Sequence, residues 1–358
     1  MKIFIAILVF TVVSFTARAQ SPKPYFKEAK ALLKENKKEE ALAKINTAIE
    51  LAPKNKEYLL FRADINEKLY RYRAAVKDLD DYLLIVKDDD KIMMKAGLLS
   101  LAIPDYNLAD KHYGSVLELD SKNILALQNK SFSLIHLGAY QAAINALNFS
   151  MEVDKKSNYS YFLKGVAYDS LKDYTNAFTN YKKAIELAED KEGKNLVTKN
   201  FYQEYYFNKG RANYKLKIYE EALKDFTKAA TIDKEDTHVP KNTQLNYYVG
   251  LTQFAKSDFV EAINSFGKSI AANENFHAAF ISRGYVYLKM GQYAISLDDF
   301  THVILKNDTI TQALIGRAEC YASTGKFTEA ISDLGKALKN QKGNEVLLKK
   351  IEELKAKM

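Results

Sequence analysis

Small and apolar residues recur along most of the chain with a helical spacing, and this pattern itself repeats. One alanine marks the same point in the first five copies, at 34-residue intervals: Ala41, Ala75, Ala109, Ala143 and Ala177. The phase shifts and then resumes, with the same role taken by Ala222, Ala262, Ser296 and Ala330. A fixed period of this length is typical of stacked supersecondary units. The pattern predicts nine helical hairpins, which begin near residues 22, 56, 90, 124, 158, 203, 243, 277 and 311.

Each hairpin has small and large residues at fixed positions, counted from the first residue of its unit. Position 8 is small in all nine units: Ala29, Ala63, Gly97, Ser131, Gly165, Gly210, Gly250, Gly284 and Ala318. Position 17 is aromatic in eight: Tyr72, Tyr106, Tyr140, Tyr174, Tyr219, Phe259, Tyr293 and Phe327. Position 24 is always apolar or aromatic: Ile45, Leu79, Tyr113, Leu147, Tyr181, Phe226, Phe266, Phe300 and Leu334. Small residues let two helices approach, and large ones fill the space between them.

These positions resemble the tetratricopeptide repeat family, whose unit is a 34-residue helix-turn-helix. The resemblance implies an all-α fold, a right-handed solenoid or superhelix of about nine repeats within residues 20–343. Departures from the family are the absence of Trp and the polar Asn246 at position 4. Residues 344–358 have the spacing of an amphipathic helix, with apolar residues on one side and charged residues on the other, which predicts a C-terminal capping helix.

Two insertions interrupt the period, a longer one near 188–200 and a shorter one near 236–242. The first is rich in Lys and Glu, so we expect it to extend the flanking helices with Gly193 in the turn between them. The second contains Pro240, which predicts a loop.

The first nineteen residues form a separate segment. Lys2 precedes an apolar run over 3–13, and Ala17 and Ala19 offer the small residues that signal peptidase requires. We therefore expect a signal peptide over 1–19, export through the Sec route, and a periplasmic, cell-surface or secreted protein. An uncleaved anchor is the alternative. No later apolar run is long enough to span a bilayer, so we expect no membrane insertion after cleavage.

Composition limits the possible partners. The formal net charge of +8 is spread along mixed Lys and Glu positions without a dense basic block, which argues against nucleic-acid binding. The abundance of Lys, Asn and Tyr suggests a bacterial envelope protein.

A charge pattern runs through the hairpins. Six units carry a cation at position 7, where the family commonly has Leu: Arg62, Lys130, Lys164, Lys209, Arg283 and Arg317. Asp stands at position 23 in four of these units (Asp78, Asp225, Asp299 and Asp333), and the first unit reverses the signs with Glu28 and Lys44. We predict ion pairs that bridge the two helices of each hairpin. The alternative is a row of basic ligand contacts.

Residues for catalysis or metal binding are scattered. The histidines, His112, His136, His238, His277 and His302, have no metal-ligand spacing. Cys320 is the only cysteine and is expected to be a buried, inert thiol. Phosphate-binding and nucleophile motifs are missing. The sequence predicts no enzymatic activity, no cofactor and no metal.

The resemblance implies a ligand site on the concave face, lined by positions 2, 5, 9, 12 and 13 of each first helix. The Lys and Asn clamp of family members that bind chaperone C-termini is not reproduced at Lys30, Asp64 and Leu98. Units four to eight give the candidate partner-binding residues: Gln128, Phe132, Phe162, Val166, Phe207, Arg211, Tyr247, Leu251, Ile281 and Tyr285. We expect Phe162→Asp combined with Tyr247→Asp to abolish partner capture while leaving the melting temperature nearly unchanged.

Together these observations predict a non-enzymatic scaffold or adaptor that binds a protein or peptide partner of unknown identity. A self-assembling structural component of the cell envelope is the alternative, and it would require ends that stack on another copy. The predicted capping helix favours a monomer over such an assembly.

Overall fold

A computed structural model describes residues 21–189, 196–232 and 240–358 of the 358-residue chain. These residues form nineteen α-helices and contain no β-strand. The helices fall into two compact units, Met1–Ala139 and Tyr140–Met358. The predicted signal peptide and Gly193 lie outside the described residues.

The first unit contains seven helices among its described residues. They are α1 Pro22–Lys34, α2 Lys38–Leu51, α3 Lys56–Lys68, α4 Tyr72–Leu83, α5 Asp90–Ala102, α6 Tyr106–Leu119 and α7 Ile124–His136. Short turns join α1 to α2, α3 to α4 and α5 to α6, so each pair forms an antiparallel hairpin.

The second unit contains twelve helices among its described residues. They are α8 Tyr140–Val153, α9 Asn158–Ser170, α10 Tyr174–Glu189, α11 Leu196–Lys215, α12 Tyr219–Ile232, α13 Pro240–Ala255, α14 Phe259–Ala272, α15 His277–Lys289, α16 Tyr293–Lys306, α17 Thr311–Ser323, α18 Phe327–Asn340 and α19 Glu345–Lys355. Helix α19 packs on α18 and buries Leu347 and Leu354 in the core of the last hairpin. Each unit is thus all-α and consists mainly of stacked hairpins, as the sequence predicts. The boundary between the units divides the predicted fourth hairpin, with α7 in the first unit and α8 in the second.

Two first helices start before the position that the repeat period gives. Helix α11 begins at Leu196, and α13 begins at Pro240. The expectation that the stretch containing Pro240 is a loop is wrong for residues 240–242, because proline is well tolerated in the first helical turn, where its missing N–H has no partner to lose.

Most turns between the two helices of a hairpin use one residue with a left-handed backbone at position 15. Positive φ angles between 58° and 77° occur at Asn36, Tyr70, Gly138, Lys172, Lys217, Ser257, Gly291 and Gly325. The next residue closes the helix: the N–H of Lys37 donates to the carbonyl of Leu32 at 2.9 Å, and the N–H of Arg71 donates to that of Asn66 at 2.8 Å. This helix-ending motif favours glycine, and only some of the units supply it.

Positions 8 and 24 set the distance between the two helices of a hairpin. A methyl group added to Gly165 would lie 2.6 Å from the ring of Tyr181, and one added to Gly250 would lie 2.7 Å from the ring of Phe266. All five units with glycine at position 8 have an aromatic ring at position 24, whereas units with alanine there have Ile or Leu. The two helices therefore close on the ring only where position 8 lacks a side chain.

The predicted ion pairs between positions 7 and 23 are confirmed. The shortest nitrogen–oxygen distances are 2.6 Å for Arg62–Asp78, 2.7 Å for Lys209–Asp225, Arg283–Asp299 and Arg317–Asp333, and 2.9 Å for the reversed pair Lys44–Glu28. The three arginines contact both carboxylate oxygens. Bidentate geometry fixes the register of the two helices.

The cation at position 7 also reaches the preceding hairpin. Arg62 Nη1 donates to Asn46 Oδ1 at 3.1 Å, and Arg317 Nη1 lies 3.3 Å from Thr301 Oγ1. Both acceptors stand at position 25 of the preceding hairpin. The same guanidinium therefore joins the helices within a hairpin and joins that hairpin to its neighbour.

Four of the nine repeats lack this pair: positions 7 and 23 are Ala96 and His112 in the third, Lys130 and Ala146 in the fourth, Lys164 and Asn180 in the fifth, and Val249 and Ser265 in the seventh. His112 occupies position 23 of the third unit, is 3% exposed, and places Nε2 3.3 Å from Asp80 Oδ1 without hydrogen-bond geometry. Burial lowers the pKa of His112, although Asp80 opposes this. In the fifth unit Asn180 replaces the acid opposite Lys164, and burial lowers the pKa of that lysine.

Candidate functional site

The first helices of successive hairpins lie side by side within the second unit. Helix α11 contacts α9 and α13, and α15 contacts α13 and α17. Positions 2, 5, 9, 12 and 13 of every first helix are the family's ligand positions, and in each unit we call the surface at these positions the first-helix face.

The ten candidate residues divide between the two units. Gln128 and Phe132 are on α7 in the first unit, and the other eight are on α9, α11, α13 and α15 in the second. Gln128 and Phe162 are buried, and the remaining eight are partly buried. None of the ten is an open surface side chain.

Phe162 belongs to the core. It is 4% exposed, and its ring lies 4.6 Å from that of Tyr205 and 5.7 Å from that of Tyr181, measured between centroids. Replacing it by Asp would bury a carboxylate among aromatic rings, so the expectation that Phe162→Asp leaves the melting temperature unchanged is wrong. The repeat pattern identified the position of Phe162 in its unit but not the rings that cover it.

An arginine and three aromatic rings come together on α11 and α13. The guanidinium carbon of Arg211 lies 5.3 Å from the ring centroid of Tyr248 and 5.9 Å from that of Phe207. Tyr247 packs against Tyr248 at 5.7 Å and against Phe276 at 5.1 Å. We call Phe207, Arg211, Tyr247 and Tyr248 the aromatic–arginine cluster. Tyr248 was not among the sequence candidates because it stands at position 6.

Arg211 is also held by its neighbours. Its Nη2 lies 3.2 Å from Asp169 Oδ2 on α9, and its Nη1 donates to Asn208 Oδ1 at 3.0 Å. Burial raises the pKa of Asp169, while Arg211 and Lys215 act to lower it. The pair thus neutralises a half-buried acid and fixes the guanidinium against the rings.

The other candidates on α13 and α15 form an apolar wall. Leu251 packs against the core of the seventh hairpin, and Ile281 and Tyr285 pack against the core of the last two. The hydroxyl of Tyr285 donates to the carbonyl of Gln312 on α17 at 3.2 Å, and burial raises its pKa to about 12. Phe132 in the first unit packs against His136, with a centroid distance of 4.5 Å.

Two exposed leucines on the first-helix face of the first unit were not selected from the sequence. Leu98 on α5 is 60% exposed and Leu125 on α7 is 55% exposed, at positions 9 and 2. Met94 and Phe132 are partly buried on the same helices. Exposed apolar side chains at ligand positions are candidate contacts for a partner.

Groups for other chemistry are not assembled in the described part of the chain. No three His, Cys, Asp or Glu residues there could hold a metal ion. Cys320 is fully buried, donates to Ser296 Oγ at 3.1 Å, and has a pKa raised by burial. No described helix is long and apolar enough to cross a membrane.

Stacked hairpins with a small-residue contact and a series of ion pairs define an α-helical repeat protein. Models of the tetratricopeptide repeat family match residues 26–90, 159–191, 203–236 and 281–345, which together make up more than half of the chain. The chain belongs to this family.

Relatives are similar at low identity. A TPR repeat-containing protein of Methanocaldococcus jannaschii is 22% identical over 80% of this chain and 58% of its own length. The Hsp70-Hsp90 organizing protein of Triticum aestivum is 23% identical over 71% of this chain and 41% of its own. The chain thus spans about half the length of these curated relatives.

Two solved structures share the fold. A tetratricopeptide repeat protein of Parabacteroides merdae has a TM-score of 0.54 and 16% identity, covering 74% of this chain and 98% of its own. The C-terminal part of a TPR repeat-containing protein of Cytophaga hutchinsonii has a TM-score of 0.51 and 18% identity, covering 72% and 98%.

Proposed function

We propose that this chain is a non-enzymatic scaffold that is exported and binds a segment of a partner protein on its first-helix face. The observation that carries the proposal is the set of apolar and aromatic side chains left accessible at the family's ligand positions, above all Leu98 and Leu125. Family membership supports the general role, and the name of the Triticum aestivum relative describes the organization of two other proteins.

The aromatic–arginine cluster is the second contact region that we propose. Partly buried aromatic rings beside a positioned arginine are the residue types enriched among energetic hot spots of protein interfaces. Because Asp169 and Asn208 already hold Arg211, a partner would meet a guanidinium whose conformation is fixed before binding.

Site-specific photocrosslinking in the native cell tests the binding face. We expect a photoreactive residue at Leu98 or Leu125 to capture the same partner, which mass spectrometry then identifies. A photoreactive residue at the exposed Gln244 tests the face of the second unit separately. Leu84 and Leu305, which are 77% and 82% exposed outside the first-helix positions, are matched controls. Equal capture from the control positions would contradict binding on the first-helix face.

Paired substitutions separate binding from folding. Leu98→Asp with Leu125→Asp should abolish capture, because both exposed side chains would carry a charge into the apolar contact. Exposed positions of this kind change the free energy of unfolding by only about 0.5 kcal/mol each. Undiminished capture by a folded double variant would show that Leu98 and Leu125 do not contact the partner.

Export is tested separately, by N-terminal sequencing of the protein from the envelope fraction. We expect Gln20 as the first residue. A chain that keeps residues 1–19 in that fraction would support the uncleaved anchor instead.

A further inference from the structure

A cavity of about 260 Å³ opens between α2, α3 and α4 in the first unit. Its polar lining consists of Asn46, Arg62, Asn66, Arg71, Lys77 and Asp78. Three cations and one acid therefore face the same space, which gives the lining an excess of two positive charges.

The single acid of the lining is already satisfied. Arg62 donates to Asp78 from Nε and Nη2 at 3.0 and 2.6 Å, and Asn66 Nδ2 donates to it at 3.1 Å. Asp78 and Asn66 are 2% and 4% exposed, so this wall of the cavity is fixed by packing. The charge of Asp78 is neutralised by Arg62, which leaves Arg71 and Lys77 as the excess.

These two cations are available to a ligand. Arg71 Nη2 lies 2.9 Å from Glu39 Oε1, but both side chains are about half exposed or more, and surface pairs of this kind contribute little net stability. Lys77 forms no ion pair with any described residue. An anion entering the cavity would therefore meet Lys77, which has no ion pair among the described residues, and Arg71, whose one carboxylate partner is exposed.

The equivalent place in the sixth repeat shows what this cavity lacks. There Lys224 occupies the position of Lys77 and pairs with Glu221 at 2.7 Å. Glu221 stands at position 19, where the second repeat has Ala74. The alanine both removes the competing acid and leaves space beside Lys77.

We propose that this cavity binds a phosphate group, either as inorganic phosphate or as a phosphate ester. Arginine recognises the oxygens of phosphate through paired N–H donors, and lysine adds a point charge. Arg71 and Lys77 contact the phosphate oxygens, while Arg62 and Asn66 form the fixed rear wall. The site is separate from the ligand positions of the first helices.

Titration followed by amide NMR of the full chain tests the site. Inorganic phosphate and O-phosphoserine should each shift the amide resonances around Arg71 and Ala74, with a dissociation constant on the order of 1 mM. Sodium chloride at equal ionic strength should not. Saturable shifts with phosphoserine alone assign the site to phosphate esters, whereas shifts with both assign it to the phosphate group as such.

Two variants at one exposed position isolate charge from shape. Ala74→Glu restores the acid of the sixth repeat and should weaken phosphate binding by roughly tenfold or more, whereas Ala74→Gln, of the same size, should retain it. Lys224→Ala in the sixth repeat is the matched control and should change nothing. Shifts that chloride reproduces, or that persist in Ala74→Glu, would overturn the proposal.

Discussion

At the scale of single residues, the contact between positions 8 and 24 shows how glycine fixes the distance between two helices. Glycine inside a helix is intrinsically unfavourable by about 1 kcal/mol relative to alanine. In this chain it is used wherever the facing side chain is an aromatic ring, because a ring at 2.6 to 3.0 Å leaves no room for a methyl group.

Gly250→Ala should therefore destabilise the protein despite its better helix propensity. The new methyl would meet Phe266 at 2.7 Å. Such overpacking costs about 1–3 kcal/mol, and chemical denaturation measures the change. Adding Phe266→Leu recreates the Ala63 and Leu79 combination of the second hairpin, so the double variant should lose less than the sum of the single losses. Additive losses would contradict the steric explanation.

At the turn residues with a left-handed backbone, a change to glycine should stabilise the protein. Lys172 and Lys217 each have a φ angle of 62°, in a conformation that side chains disfavour. Lys172→Gly and Lys217→Gly should each raise the free energy of unfolding, by about 0.5–1 kcal/mol after the greater unfolded-state entropy of glycine is subtracted. The reverse change, Gly291→Lys, should lower it by a similar amount in the same denaturation assay.

Sequence alone predicts these positions to different degrees. The repeat period places positions 8 and 24 without ambiguity, and the pairing of glycine with aromatic residues can be read from Gly165 with Tyr181. The repeat period does not predict which of these side chains are exposed. Phe162 and Leu98 both stand at ligand positions, but the first is covered by rings from its own and the next hairpin while the second is open.

At the scale of the helix and hairpin, ion pairs between positions 7 and 23 fix the register of the two helices. Such pairs were predictable because position 23 carries the charge opposite to that at position 7, even where both signs are reversed, as in Glu28 with Lys44. The additional contact from Arg62 to Asn46 was not, because it depends on how successive hairpins stack.

Breaking one pair should show that its role is specificity more than net stability. Arg283→Met leaves Asp299, which is 5% exposed, without its partner. We expect a loss of about 2–3 kcal/mol, less than the ~3–5 kcal/mol of a fully buried pair because Arg283 is partly exposed. Arg283→Met with Asp299→Leu should recover most of that loss. Equal losses in both variants by denaturation would mean that the pair itself supplies the stability.

The fifth hairpin allows the reverse experiment. Asn180→Asp supplies Lys164 with the acid that the sixth hairpin has in Asp225. The gain in a denaturation assay should be about 0.5 kcal/mol because the pair is only partly buried. In a Lys164→Met background the same aspartate should be destabilising, since it would be buried alone. A gain that persists without the lysine would rule out pairing as its cause.

At the scale of the whole molecule, stability is expected to be nearly a sum of neighbouring hairpins. Helix α19 covers the last of them, with Leu347 and Leu354 in its core and Lys350 Nζ 2.6 Å from Glu319 Oε1. Helix α19 should therefore stabilise only the hairpins next to it.

Removing residues 344–358 tests this. Hydrogen exchange should accelerate in α17 and α18, whose apolar side chains lose their cover, while protection in α1–α4 stays unchanged. The intact chain measured in parallel is the control. A uniform loss of protection through all hairpins would show that the repeats unfold as a single cooperative body.

The glycine and its facing ring also constrain how such a chain can change over time. Replacing either one singly leaves a clash or a void, so each is protected by the other against point mutation. Duplication or loss of a whole repeat keeps both together. The number of hairpins can therefore change more readily than the pair of residues that make the contact between the two helices of one hairpin.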